Sequence, residues 1–218
     1  MSPSARAATR TWTGLGLTNN WTESANWAGG LLPGAVDIAT FDATGAKPAT
    51  INAAINVAGI SIAGTYPGVI TQSAAVTVGA SGFSQSGGFF VGGAAAITLN
   101  GFFSLAPGGS FTSTNGTFTV TGAFTDTGGT FVPGTGTVAF SGGATTIDVA
   151  ATETFNNLTF TAGAKTISAG DTLTAGGSLT LTAGSLAGTG TVAARGNISQ
   201  ALGYGGGAAT LLVDGPGA

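Results

Sequence analysis

The chain has no cysteine and no histidine, and charged residues make up only 6 % of its 218 positions. Without cysteine there is neither a disulfide framework nor a thiolate centre, which suits an exported bacterial protein or a cytosolic one equally. The lack of histidine removes the commonest acid-base catalyst and the commonest metal ligand. Basic side chains number five, Arg6, Arg10, Lys47, Lys165 and Arg195, against eight acidic ones, for a net charge of −3. Nucleic-acid binding needs clustered lysine and arginine to neutralise phosphates, so that function class is excluded. No apolar run reaches the roughly 18 residues of a spanning helix. Met1 to Arg10 has no apolar centre of the kind an export signal carries. Proline is scarce too, at 7 residues, so the 40 glycines are not those of a collagen, whose Gly-X-Y period is also missing.

What the chain does have is glycine interleaved with Val, Ile, Leu, Phe and Thr at strand-like spacing, a pattern unlike that of disordered chains. A ten-residue phrase recurs, x-T-φ-x-φ-x-G-x-φ-[TS] with φ apolar or small. It reads GTFTVTGAFT at Gly116 to Thr125, DTLTAGGSLT at Asp171 to Thr180 and GTVAARGNIS at Gly190 to Ser199, with looser copies at Ala95, Gly136 and Ala209. Its glycine falls at Gly64, Gly82, Gly101, Gly122, Gly142, Gly163, Gly177, Gly196 and Gly215, at spacings of 18, 19, 21, 20, 21, 14, 19 and 19. A period near 20 is one coil of a solenoid, since helical repeats run to about 33 residues or more.

Local chemistry agrees. Thr117-Phe118-Thr119-Val120 and Ser178-Leu179-Thr180-Leu181 alternate apolar and hydroxyl side chains with period two, as a half-buried strand does. Frequent glycine weakens any helix by about 1 kcal/mol each, and no helix is expected beyond Ala49. The recurrent glycine is expected at the corner of each coil. Twelve phenylalanines, Phe83, Phe89, Phe90, Phe102, Phe103, Phe111, Phe118, Phe124, Phe131, Phe140, Phe155 and Phe160, are expected in interior ladders. The fold expected is all-β, a right-handed parallel β-solenoid of roughly eight coils with strands about 4.8 Å apart. A β-sandwich is the alternative, because it too carries many short strands at regular spacing. Residues 1–48 are expected to form a Trp-rich arm or cap and residues 49–218 the repeat region, stopping in mid-array.

All three tryptophans lie within the first 27 residues. The order Trp12-x-Gly14, Asn20-Trp21, Asn26-Trp27, Gly29-Gly30, Pro33-Gly34 and Asp37-x-Ala39-x-Phe41 resembles the opening of large bacterial surface proteins of the β-strand-repeat type, related to autotransporter passengers. Phe155-Asn156-Asn157-Leu158-Thr159-Phe160, Leu173-Thr174 with Gly177 to Leu181, and Leu211 to Ala218 are similar to the later units of that family. The resemblance spans nearly the whole chain through motifs of low complexity. It implies an extracellular or cell-surface location and a role in adhesion, matrix or envelope scaffolding. No β-domain, sorting motif or anchor of that family is found.

Array ends expose strand edges and a cross-section of core, and atypical terminal units cover them. Trp12, Trp21, Trp27 and Phe41 are assigned to such a cap or assembly surface, with Asn26 and Asp37 bonding turn backbone. A sugar-stacking patch is the functional alternative. The acids are Glu23, Asp37, Asp42, Asp126, Asp148, Glu153, Asp171 and Asp214. Asp126, Asp148 and Asp171 lie about one coil apart and form the one calcium candidate, read otherwise as solvated turn acids. No catalytic set, phosphate loop, EF-hand or nucleophile elbow is found, and no cofactor is expected. Thr-x-Thr pairs at Thr112/Thr114, Thr117/Thr119, Thr125/Thr127, Thr135/Thr137 and Thr189/Thr191 do not recur at one phase, which argues against an ice-matching face. The N-x-[ST] triplets at Asn20, Asn115, Asn157 and Asn197 are read as turn and strand asparagines. The sequence therefore points to a scaffold that associates with further copies or repeats, with a glycan- or host-binding adhesin second and a polysaccharide-cleaving enzyme last.

Overall fold

The computed structural model describes residues 8–215. The first seven residues of the arm and the last three of the final phrase lie outside the described residues. The chain is all-β and 3 % helical, with parallel sheets wound as a β-solenoid of about 8 turns. Its only helical segments among the described residues are 3-10 turns at Ser24–Asn26 and Ala28–Gly30. Among the described residues each paired strand runs parallel to its neighbour one coil away, and the single antiparallel bridge, Trp12 with Trp27, lies outside the strands. A sandwich of antiparallel sheets is thereby set aside.

Each coil contributes to three faces. The first face contains residues 55–57 and 76–78, then Ile97–Leu99, Thr117–Val120, Thr137–Phe140, Asn157–Phe160, Leu179–Leu181 and Ile198–Gln200. The second begins at Thr9–Thr11 and Ile38–Phe41 and continues through residues 59–62 and 83–85 to Phe103–Leu105, Phe124–Asp126, Thr145–Val149, Ala164–Ile167 and Ser185–Gly188. Two long strands, Ile55–Ile62 and Val76–Gln85, run through both faces, with a register shift between Val57 and Gly59. The third face is in two pieces: Ala49–Ile51, Val69–Gln72, Phe89–Val91, Ser110–Thr112 and Thr130–Val132, then Thr152–Phe155, Thr172–Ala175, Thr191–Ala194 and Thr210–Val213. The parallel ladder thus starts well before residue 49, inside the segment read as an arm.

Alternation along each strand and register between coils together build the core. Ile55, Val76, Ile97, Phe118, Val138, Leu158, Leu179 and Ile198 stand one above another, and all but Ile198 are buried. Phe83, Phe103 and Phe124 stack on the second face with centroids 5.6 and 4.7 Å apart, and Phe90, Phe111 and Phe131 do so on the third at 4.9 and 5.8 Å. Burying such a side chain contributes about 1.5–3 kcal/mol, and no coil can bury its own without neighbours.

Two expectations need correction. Phe89 and Phe102 are not interior: they are 52 % and 40 % exposed. Each sits one position from an inward ring, Phe90 and Phe103, and successive strand side chains point to opposite sides. The recurrent glycine does not mark one corner. Gly82 to Gly163 lie between the first and second faces, whereas Gly177, Gly196 and Gly215 follow third-face strands, so the short 14-residue interval is a change of corner with the coil length unaltered. The phrase encodes strand, bend and strand, and the chain uses it at two corners. Only Gly82, Gly142 and Gly163 of the nine have positive φ. Finally, although Thr-x-Thr pairs stay scattered over different faces, single threonines do align: Thr77, Thr98, Thr119, Thr159 and Thr180 form one column on the first face, interrupted by Ala139.

Candidate functional site

At the N-terminal end the three indoles are packed over the first coil and buried. Trp12, Trp21 and Trp27 surround the Phe41 ring with centroids 5.8, 6.0 and 5.8 Å from it, and Tyr66 approaches from the next coil at 5.3 Å. Buried indole N–H groups need acceptors. Trp12 Nε1 donates to the Lys47 carbonyl at 2.9 Å and Trp27 Nε1 to the Trp21 carbonyl at 2.8 Å. With the rings buried on all sides, none presents a face on which a sugar can stack.

The loop above these rings is tied down by polar side chains. Asn26 is buried; its Nδ2 donates to the carbonyls of Thr18 and Asn20, and its Oδ1 accepts from Gly16 N at 2.8 Å. Lys47 Nζ reaches the Gly16 and Thr18 carbonyls at 2.6 and 2.7 Å. The Glu23 carboxylate accepts from the Thr18 hydroxyl and from the N–H groups of Thr18 and Leu17, and these bonds hold its pKa below the usual range. Asp37 accepts from Gly34 N and Ala8 N and faces Arg10; the Gly34 bond is the largest cause of its lowered pKa.

Asp126, Asp148 and Asp171 do not share a face. In the register Asp126 pairs with Val149, and Asp148 pairs with Thr125. Neighbouring positions point to opposite sides, so Asp126 is buried in the interior while Asp148 is exposed. Asp171 occupies a corner of the following coil, where its Oδ2 accepts from Val149 N at 2.8 Å. Burial raises its pKa, and the nearby carboxyl of Asp148 adds to the rise. Among the described residues no three acidic side chains come together as a metal-binding group.

Asp126 has a different partner, Glu153, an acid to which the sequence assigned no role of its own. Asp126 Oδ1 accepts from Gly128 N and Gly129 N at 2.9 and 2.7 Å. Glu153 heads an inward column continued by Leu173, Val192 and Leu211, and its carboxyl lies within hydrogen-bonding reach of Asp126. Burial first, and then Asp126, push the Glu153 pKa up to about 8. A signal for this was present in Thr152-Glu153-Thr154-Phe155, where Glu153 shares the phase of an inward phenylalanine.

Two further polar groups occupy interior columns. Lys165 is buried between Thr145 and Leu186 and places Nζ at 2.9, 3.3 and 2.5 Å from the carbonyls of Ser141, Gly142 and Gly143. Gln85, between Ile62 and Leu105, donates Nε2 to Gly87, Gly88 and Ser110 carbonyls, while its Oε1 has no partner among the described residues. Lys165 satisfies carbonyls at one corner, and Gln85 adds a donor to carbonyls at and beside another, where the Gly88 carbonyl also accepts from Ser110 N.

At the other end, Ile198–Gln200 and Thr210–Val213 are each paired on one side only among the described residues. Here the interior columns emerge: Ile198, Leu211 and Val213 are 38 %, 41 % and 53 % exposed. Among the described residues no helix is long and apolar enough to cross a membrane. Comparison of the chain with protein-family models, with curated proteins and with solved structures finds no match.

Proposed function

We propose that this chain is a non-catalytic structural segment of an extracellular bacterial surface scaffold, extended by coil-on-coil association. One observation carries the reading: each internal coil is held to its neighbours by parallel ladders and shared interior columns, so burial in this chain is supplied by coil-on-coil contact. A strand edge of such a stack is a template for another strand, and the same contact between copies supplies the burial that each internal coil obtains from its neighbours. The sparse charge leaves little repulsion between copies. The bacterial surface assignment rests on the motif resemblance at Trp12 to Phe41 and Phe155 to Leu181. A glycan-binding role loses its best platform, since the tryptophans are buried.

Light scattering and negative-stain imaging at rising concentration test this. The wild-type chain is expected to form elongated assemblies, and Leu211→Lys combined with Val213→Lys to reduce them to single rods. A wild-type chain that stays a single rod at every concentration overturns the scaffold reading, and specific binding on a glycan array would favour an adhesin.

A further inference from the structure

The third face is interrupted once. Thr130–Val132 pairs back to Ser110–Thr112, and Thr152–Phe155 pairs forward to Thr172–Ala175, with no ladder between them. At the same level the first and second faces are continuous, through Thr117–Val120 with Thr137–Phe140 and Phe124–Asp126 with Thr145–Val149. One coil is therefore joined to the next by two faces of three. The corner leading into the second piece contains Ala151 at φ 116°, the only non-glycine positive φ among the described residues. Behind the gap, Phe131 meets Phe155 edge-on at 5.4 Å.

The gap is also where the Asp126–Glu153 carboxyl pair sits, the first buried and the second half-buried. Asp126 stands on the near side and Glu153 on the far side, each in a column whose other members are mostly Leu, Val and Ile. Two carboxylates in such a place repel and lose hydration, whereas an acid beside a carboxylate forms a strong hydrogen bond. We propose that the Asp126–Glu153 contact is a proton-held latch across this seam: the shared proton ties the coil ending at Val132 to the coil opening at Thr152, and its loss lets the seam part. This goes beyond the scaffold reading and does not depend on it.

Asp126 faces Glu153 from the second face, and Asp148 and Asp171 approach each other beside the same corner. Lys165, the nearest interior cation in sequence, directs its ammonium to the Ser141 to Gly143 carbonyls instead. Gly128 N and Gly129 N both donate to Asp126 Oδ1, while burial first and then the Asp126 contact raise the pKa of Glu153, the member of the pair that holds the proton. Once the seam opens, Glu153 is hydrated and titrates near its usual 4.5 rather than about 8. The open population then rises by up to tenfold per pH unit between about 5 and 8, and levels off above.

Because the chain has no native cysteine, a pair of nitroxide labels reads the seam directly. Labels at Thr130→Cys and Thr152→Cys, both exposed positions, are expected to give one narrow distance at pH 5 and a longer, broader distribution at pH 8.5. The same labels on Glu153→Gln are expected to stay narrow at both, and a control pair on the intact part of the face, Val91→Cys and Thr112→Cys, is expected not to move. A seam distance that ignores pH, a change of the same size in Glu153→Gln, or an equal change in the control pair overturns the proposal. Should Glu153→Gln fail to fold, a carboxyl-carbon NMR titration of the unlabelled wild-type chain decides: a Glu153 midpoint near 8 supports the latch, and one in the ordinary carboxylate range removes it.

Discussion

Ala151 and Gly128 occupy the same corner one coil apart, two positions beyond the paired Val149 and Asp126, and both have φ of 116°. An L side chain is strained at that angle and glycine is not. Ala151→Gly is therefore expected to stabilise the chain by about 1 kcal/mol, against the usual loss when glycine enters a strand. The urea midpoint measures this, and a lower midpoint would show that Ala151 is relaxed.

Strand parity separates two phenylalanines that look alike in sequence. Phe103 is buried between Phe83 and Phe124, while Phe89 faces outward. Phe103→Ala is expected to cost about 3–5 kcal/mol, and Phe89→Ala to stay within about 1 kcal/mol. Similar losses for both would contradict the assigned register.

Trp27 contacts both other indoles and Phe41, at 5.2, 4.6 and 5.8 Å, and its N–H is satisfied inside the cluster. Trp27→Ala is expected to cost about 3–5 kcal/mol and to free the first coil before the rest. Hydrogen exchange checks the locality: amides of Ile38–Phe41 should lose protection while those of Leu179–Leu181 keep theirs. Uniform loss along the rod would mean that the cluster does not act as an end unit.

Lys165→Met keeps the length and apolar stem of the side chain but removes the donors to three corner carbonyls. Carbonyls left without partners in a buried place cost about 1–3 kcal/mol, so the variant is expected to be less stable by that order despite losing a buried charge. A thermal midpoint at or above wild type would show that water replaces the ammonium.

Glu153 also sets a pH dependence of global stability. Its proton is retained in the folded chain up to about 8 and released by the unfolded chain near 4.5. The folded state thus binds more protons in that window, and stability falls as pH rises from about 4.5 to about 8, then levels. Asp171, also raised, acts with the same sign, whereas Glu23 and Asp37, both lowered, lose their contribution as pH falls in the acid range. The thermal midpoint of Glu153→Gln relative to wild type should consequently rise between pH 5 and pH 8. A difference that stays constant would place Glu153 in an ordinary solvated state.

The sequence by itself determined the coil. A period near 20, strand alternation in segments such as Thr117 to Val120, and a chain too poor in charge for a globular polar surface require neighbours to bury what each unit cannot. Those are local properties, written in the order of side chains, and they led to a parallel stack and to a tryptophan cluster at its start. What only the tertiary structure decided was the side to which each residue points and which coil it meets. Phase along a strand is set where the chain turns, and the same strand-bend-strand phrase serves two corners, so the recurrent glycine could not identify a corner. For that reason Phe89 and Phe102 fell outside the core, and Asp126 and Asp148, nearly one period apart, ended on opposite sides of one wall. The same dependence on register brought Glu153 to Asp126 across 27 residues of sequence, because a contact between coils is fixed by the accumulated length of every corner between them.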